Sequence, residues 1–155
     1  MNLCIMWIFS IILMQSFQSN YSQSQSGKII KKELDALRKL FEGSEYWKRN
    51  YQRDLRLYTA RTDDYTDACT QPVFDCYYEE FQVILQEVSM TGEENIAMQM
   101  RNTLEHIKTY RPSESDMVGS CKKCEEYEEE PYDEFVNRFE SITQKMHVNG
   151  PHKKR

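Results

Sequence analysis

The sequence predicts an all-α fold, a four-helix bundle run up-up-down-down, and three observations predict it. Four segments place apolar residues at helical spacing. One connection between them is short and two are long. Four cysteines fall as two pairs, Cys69 with Cys76 and Cys121 with Cys124, at the edges of apolar helical patterns.

The first helix, A, is expected over 28–41. Ile30, Leu34, Leu37 and Phe41 share one stripe, while Lys31, Lys32, Asp35, Arg38 and Lys39 fall elsewhere. Gly43 interrupts it. Trp47, Tyr51, Leu55 and Tyr58 then form a second stripe out of phase with the first, so a break is expected at the glycine. A partly helical connection runs on to about residue 67.

Helix B is expected over 73–88. Phe74, Tyr78, Phe81, Leu85 and Val88 keep a regular repeat, and Tyr77 and Ile84 widen the stripe. Thr91-Gly92 ends it. Helix C is expected over 93–110, with Ile96, Met100, Leu104 and Ile107 in phase. Arg111-Pro112-Ser113 stops it, because proline lacks an amide hydrogen and disfavours helix in the residue before it. A loop over 112–123 follows. Helix D is expected over 131–148, with Pro131 in its first turn and Phe135, Phe139, Ile142 and Met146 on one face. Asn149-Gly150-Pro151 closes it. No convincing strand is read.

Each amphipathic helix must cover its stripe, and a bundle does this. The B–C connection of about four residues makes those helices antiparallel neighbours. The long A–B and C–D connections are the crossovers that an up-up-down-down bundle requires.

Residues 3–17 are apolar and give way to Ser, Gln and Asn. That run is short for a membrane anchor and suits a signal peptide over 1–22, cut after Ser19 or Ser22, although its first residues carry no Lys or Arg. A single domain over 23–155 is then expected, secreted to the extracellular space. Asn20-Tyr21-Ser22 is a glycosylation sequon that straddles the cleavage region, which makes Asn20 a candidate acceptor. The formal charge of -5 argues against a nucleic-acid partner, which calls for a net basic face. Acidic residues crowd 125–134, where carboxylates at a helix start would favour the macrodipole.

A fifth cysteine, Cys4, lies in the leader, which leaves an even number in the domain. In an exported chain this reads as a disulfide framework. Pairing Cys69 with Cys76 spans about 10 Å if helix B already includes Cys69, too far for a bridge. The two crossed arrangements both tie the A–B connection to the loop before helix D, and spacing does not choose between them. Each bridge closes a loop of about fifty residues, worth roughly 4 kcal/mol in the chain-entropy model.

Cys121-Lys122-Lys123-Cys124 also has the form of a thiol oxidoreductase motif, but that chemistry calls for a βαβ setting. A zinc site would need reduced thiolates, and His106, His147 and His152 are scattered. No nucleophile elbow, phosphate loop or zinc-protease motif is present. The reading is therefore of a protein that is not an enzyme and uses no cofactor or metal.

Residues 121–146 follow the pattern C-x-x-C-x-x-Y-E-x-x-P-x-x-E-F-x-x-R-F-x-S-x-x-Q-K-M. This resembles the last helix of the interleukin-21 family of short-chain four-helix bundle cytokines. The Cys69 to Cys76 spacing and Thr91-Gly92 in the short turn are similar as well. The related interleukin-15 family shares both cysteine spacings and an echo of Leu57-Tyr58-Thr59, and lacks the proline and Arg-Phe pair of helix D.

The resemblance implies Cys69–Cys121 and Cys76–Cys124 bridges. It implies a secreted, monomeric cytokine that joins a private receptor chain, like the interleukin-21 receptor, to the common gamma chain. Signalling through Janus kinases and STAT proteins in lymphocytes would follow, as part of an immune response. It places a gamma-chain contact at Gln144 and the next at His147, where the familiar members carry isoleucine. Periodicity agrees for Gln144, about 160° around the helix from the apolar stripe. Basic residues on helices A and C would face the private receptor, which makes Lys28, Lys31, Lys32, Lys108 and Arg111 the candidates. An interleukin-15-type cytokine, a secreted thiol oxidoreductase and an inert secreted helical module are the competing readings.

Overall fold

A computed structural model describes residues 27–50, 54–113 and 119–148. The leader over 1–22 and the sequon at Asn20 lie outside them. In chain order come α1 (27–42), α2 (Glu45–Asn50), β1 (Arg56–Thr59), α3 (Thr70–Met90) and α4 (Glu94–Lys108). A short 3-10 turn (Cys124–Glu126), β2 (Glu128–Pro131) and α5 (Tyr132–Val148) complete it. Helices A, B, C and D of the sequence reading are α1, α3, α4 and α5.

Contacts between the helices give their directions. Going up α1, Lys31 meets Glu140, Arg38 meets Glu140 and Asn137, and Phe41 meets Tyr132, so α1 and α5 are antiparallel. Going up α3, Phe74 packs on Phe139 and Phe81 on Phe135, so α3 and α5 are antiparallel too. Gly92 turns α3 back into α4 with a φ of 80°, a left-handed conformation that glycine adopts without steric cost. Helices α1 and α3 thus run one way and α4 and α5 the other, the up-up-down-down bundle.

The predicted stripes are the core. Ile30, Leu34, Leu37 and Phe41 of α1 are buried, as are Met100, Leu104 and Ile107 of α4 and Phe135, Phe139, Ile142 and Met146 of α5. On α3 the emphasis shifts: Tyr77 and Ile84 are fully buried, while Tyr78 is only half-buried. The Tyr77 ring stacks on Phe139 at 4.7 Å, and its hydroxyl donates to the Ala60 carbonyl at 2.6 Å. That satisfies a polar group which burial would otherwise penalise.

The break after α1 falls at Gly43, as expected. Ser44 Oγ accepts the Trp47 amide at 3.1 Å and caps α2, which carries the Trp47 ring onto Phe41 at 4.1 Å. The starts of two helices differ from the sequence reading. Helix α3 starts at Thr70, one turn early, because Pro72 still sits in its first turn, where no amide donor is needed. Pro131 ends β2, and α5 begins at Tyr132. Most of the acidic run precedes the helix, and only Asp133 and Glu134 occupy its first turn.

Two short strands were not foreseen. Strand β1, from the first crossover, pairs antiparallel with β2, from the second, Tyr58 opposite Glu129. Around this ribbon Cys69 is bridged to Cys121 and Cys76 to Cys124, with α-carbons 5.5 and 5.2 Å apart. This is the pairing that the resemblance implies. Arg61 pairs with Glu128, and Lys122 Nζ reaches Asp64 Oδ1 at 2.6 Å. The crossovers are therefore tied to each other by sulfur, main chain and charge. Among the described residues, no helix is long and apolar enough to cross a membrane.

Candidate receptor-facing surfaces

The C-x-x-C is not a dithiol pair. Cys121 and Cys124 are bonded to different partners on the first crossover and at α3. No group of three or more His, Cys, Asp or Glu residues that could hold a metal occurs among the described residues.

Gln144 is exposed on α5, opposite the buried stripe. One turn back, Glu140 lies in the groove between α5 and α1, its side chain only 16% exposed. Its Oε1 accepts from Lys31 Nζ at 2.6 Å and from Gln144 Nε2 at 3.3 Å. Its Oε2 accepts from Arg38 Nη2 at 3.0 Å. Arg38 also donates from Nη1 to Asp35 Oδ1 at 2.7 Å and from Nη2 to Asn137 Oδ1 at 2.9 Å. A planar guanidinium suits this fan of acceptors better than an ammonium would. The Glu140 carboxylate holds the Lys31 ammonium above its ordinary value of 10.5.

The candidate residues therefore divide. Lys31 joins Gln144 through Glu140, on the α1–α5 side. Lys28 and Lys32 are exposed on α1 and make no ion pair among the described residues. On the α1–α4 side, His106 Nδ1 lies 2.9 Å from Glu33 Oε1. Lys108 Nζ sits 5.6 Å from the centre of the Tyr78 ring, a cation–π contact. Arg111 grips Asp75 with two hydrogen bonds of 2.6 Å. Lys31 thus faces an acidic partner on α5, and Arg111, just past α4, faces one on α3. His147 is placed in α5, and its side chain lies outside the described residues.

Glu140, Arg38 and Asn137 were not singled out from the sequence. The four-residue step from Glu140 to Gln144 and the three-residue step from Asp35 to Arg38 are the signals that would have found them.

Four long helices and two long crossovers bonded to each other define a short-chain helical cytokine bundle. A family model described as Interleukin 15 matches residues 9–149. Interleukin-15 of Mus musculus is 37% identical over 98 residues, a match that covers 62% of this chain and 56% of the mouse protein. The chain belongs to the interleukin-15 family.

Proposed function

We propose that this protein is a secreted cytokine that acts as a monomer, joining a private receptor chain to the common gamma chain and signalling through Janus kinases and STAT proteins in lymphocytes. The observation that carries the reading is Gln144, an exposed amide on the outer face of α5 at the position where the resemblance puts a gamma-chain contact. Lys28, Lys32 and Lys108 are the basic residues offered to the private receptor, where charge would chiefly set association rate and specificity.

The private receptor is of the interleukin-15 kind on the strength of the family match over 9–149. The interleukin-21 kind is the second reading, favoured by the proline and the Arg138-Phe139 pair in residues 121–146. Titration against the interleukin-15 alpha receptor and the interleukin-21 receptor ectodomains separates the two. For the shared chain, Gln144→Asp puts a carboxylate beside Glu140 and removes the amide. It is expected to weaken gamma-chain binding more than tenfold, with the melting midpoint nearly unchanged, since the site is solvent-facing. Unaltered binding would discard the assignment.

A further inference from the structure

A carboxylate accepts hydrogen bonds and donates none, so Glu140 selects the nitrogen end of the Gln144 amide. The amide oxygen is then directed away from the groove. Glu140 is itself held from two sides, by Lys31 on one oxygen and Arg38 on the other. A free glutamine would lose rotamer entropy on meeting a partner, and one anchored beforehand loses less.

We propose that Glu140 is a positioning residue for Gln144: fixed by Lys31 and Arg38 of α1, it draws in the amide nitrogen and presents the Gln144 carbonyl to an N–H or O–H donor on the receptor chain. This rests on the reading of Gln144 as a receptor contact. The two α1 cations then act on that contact through Glu140, without touching the partner. The partner position is specified chemically as a hydrogen-bond donor, and an acceptor there would meet the wrong end of the amide.

The test is a double-mutant cycle on the secreted protein, read as affinity for the gamma-chain ectodomain with the melting midpoint alongside. Glu140→Gln keeps the size of the side chain and an oxygen for Arg38. It also offers an amide nitrogen toward position 144, so the Gln144 carbonyl is free to turn inward. About a fivefold loss of affinity is expected in the parent and none in the Gln144→Ala background, because the two residues act as one unit. Glu140→Ala is expected to show the same coupling. An equal loss in both backgrounds, through a direct contact or through damage to the fold, would overturn the positioning role while leaving Gln144 as a contact. Full affinity in Glu140→Gln would overturn it as well. If Gln144→Ala alone binds like the parent, the contact itself falls, and the positioning role with it.

Discussion

Lys31 and Gln144 donate to the same oxygen, Glu140 Oε1, from 2.6 and 3.3 Å. One is on the first helix and the other on the last, and the resemblance assigns them to different receptor chains. In the fold both stand on one carboxylate. The α1–α4 side, where a private receptor is expected, carries the Glu33–His106 pair, while Lys31 turns toward α5. Substitutions at Lys31 are therefore expected to be read at the gamma chain.

Arg38 and Lys31 differ in what they hold. The Arg38 side chain is 22% exposed and bonds Asp35, Asn137 and Glu140. Lys31 is about half exposed, and besides Glu140 it lies 3.7 Å from the exposed Asp35 carboxylate. Arg38→Ala is expected to cost about 1–2 kcal/mol, because it leaves Glu140 part-buried and short of a donor. That corresponds to a drop in melting midpoint of roughly 4–7 °C. Lys31→Ala is expected to leave the midpoint nearly unchanged. Thermal melts of the two variants check this, and equal shifts would contradict it.

The two disulfides should be non-additive by about 1 kcal/mol. Either one alone closes a long loop, with sequence separations of 52 and 48 residues. Once one is formed, the other closes only a small ring through it, residues 69–76 and 121–124. The chain-entropy model gives about 4 kcal/mol for the first bridge and about 3 kcal/mol for the second. Removing Cys76–Cys124 alone, as in Cys76→Ser with Cys124→Ser, is therefore expected to cost about 3 kcal/mol. Removing both bridges is expected to cost about 7 kcal/mol, more than the two single losses together. Denaturant unfolding of the three variants measures it, and simple additivity would show that the bridges constrain separate parts of the unfolded chain.

The bundle was legible because its stripes repeat at the period of the helix, and burial follows that period at Ile30, Leu34, Leu37 and Phe41. Where two neighbours compete for a core position, the repeat does not decide. Tyr78 keeps the seven-residue step, yet it leans toward α4, with its hydroxyl 3.5 Å from Glu105, while Tyr77 faces α5 and is fully buried. The ribbon was not legible. A run of glutamates has little strand propensity of its own, and Glu128–Pro131 becomes a strand only because β1 from the other crossover lies beside it. The site divides in the same way. The exposure of Gln144 followed from the α5 period. Its tie to Lys31 depended on the register of two helices whose residues 31 and 140 are 109 positions apart, and no local pattern carries that.

Asp64 and Glu80 hold the crossover region by opposite electrostatics, so acid should affect them oppositely. Burial alone would raise the Asp64 carboxyl, but the hydrogen bond and charge of Lys122 and the Arg61 amide hold it below its ordinary value of 3.8. A lowered carboxylate adds stability that is complete above that ordinary value and is lost as pH falls through the lowered one. Asp64→Asn is therefore expected to be less stable than the parent at about pH 7, with the difference closing as the pH falls below the ordinary value of 3.8. Burial raises Glu80 above its ordinary value of 4.5, only partly offset by the Tyr58 amide that its Oε2 accepts at 2.9 Å. A raised carboxyl favours the fold while protonated, and that contribution is lost as pH rises through the raised value. Glu80→Gln keeps an oxygen for the Tyr58 amide without a charge to desolvate. It is expected to match or exceed the parent at about pH 7, with any advantage shrinking as the pH falls toward 4.5 and gone below it. Melting midpoints across that range check both signs. An Asp64→Asn deficit that does not change with pH would mean that the Lys122 contact contributes by packing alone.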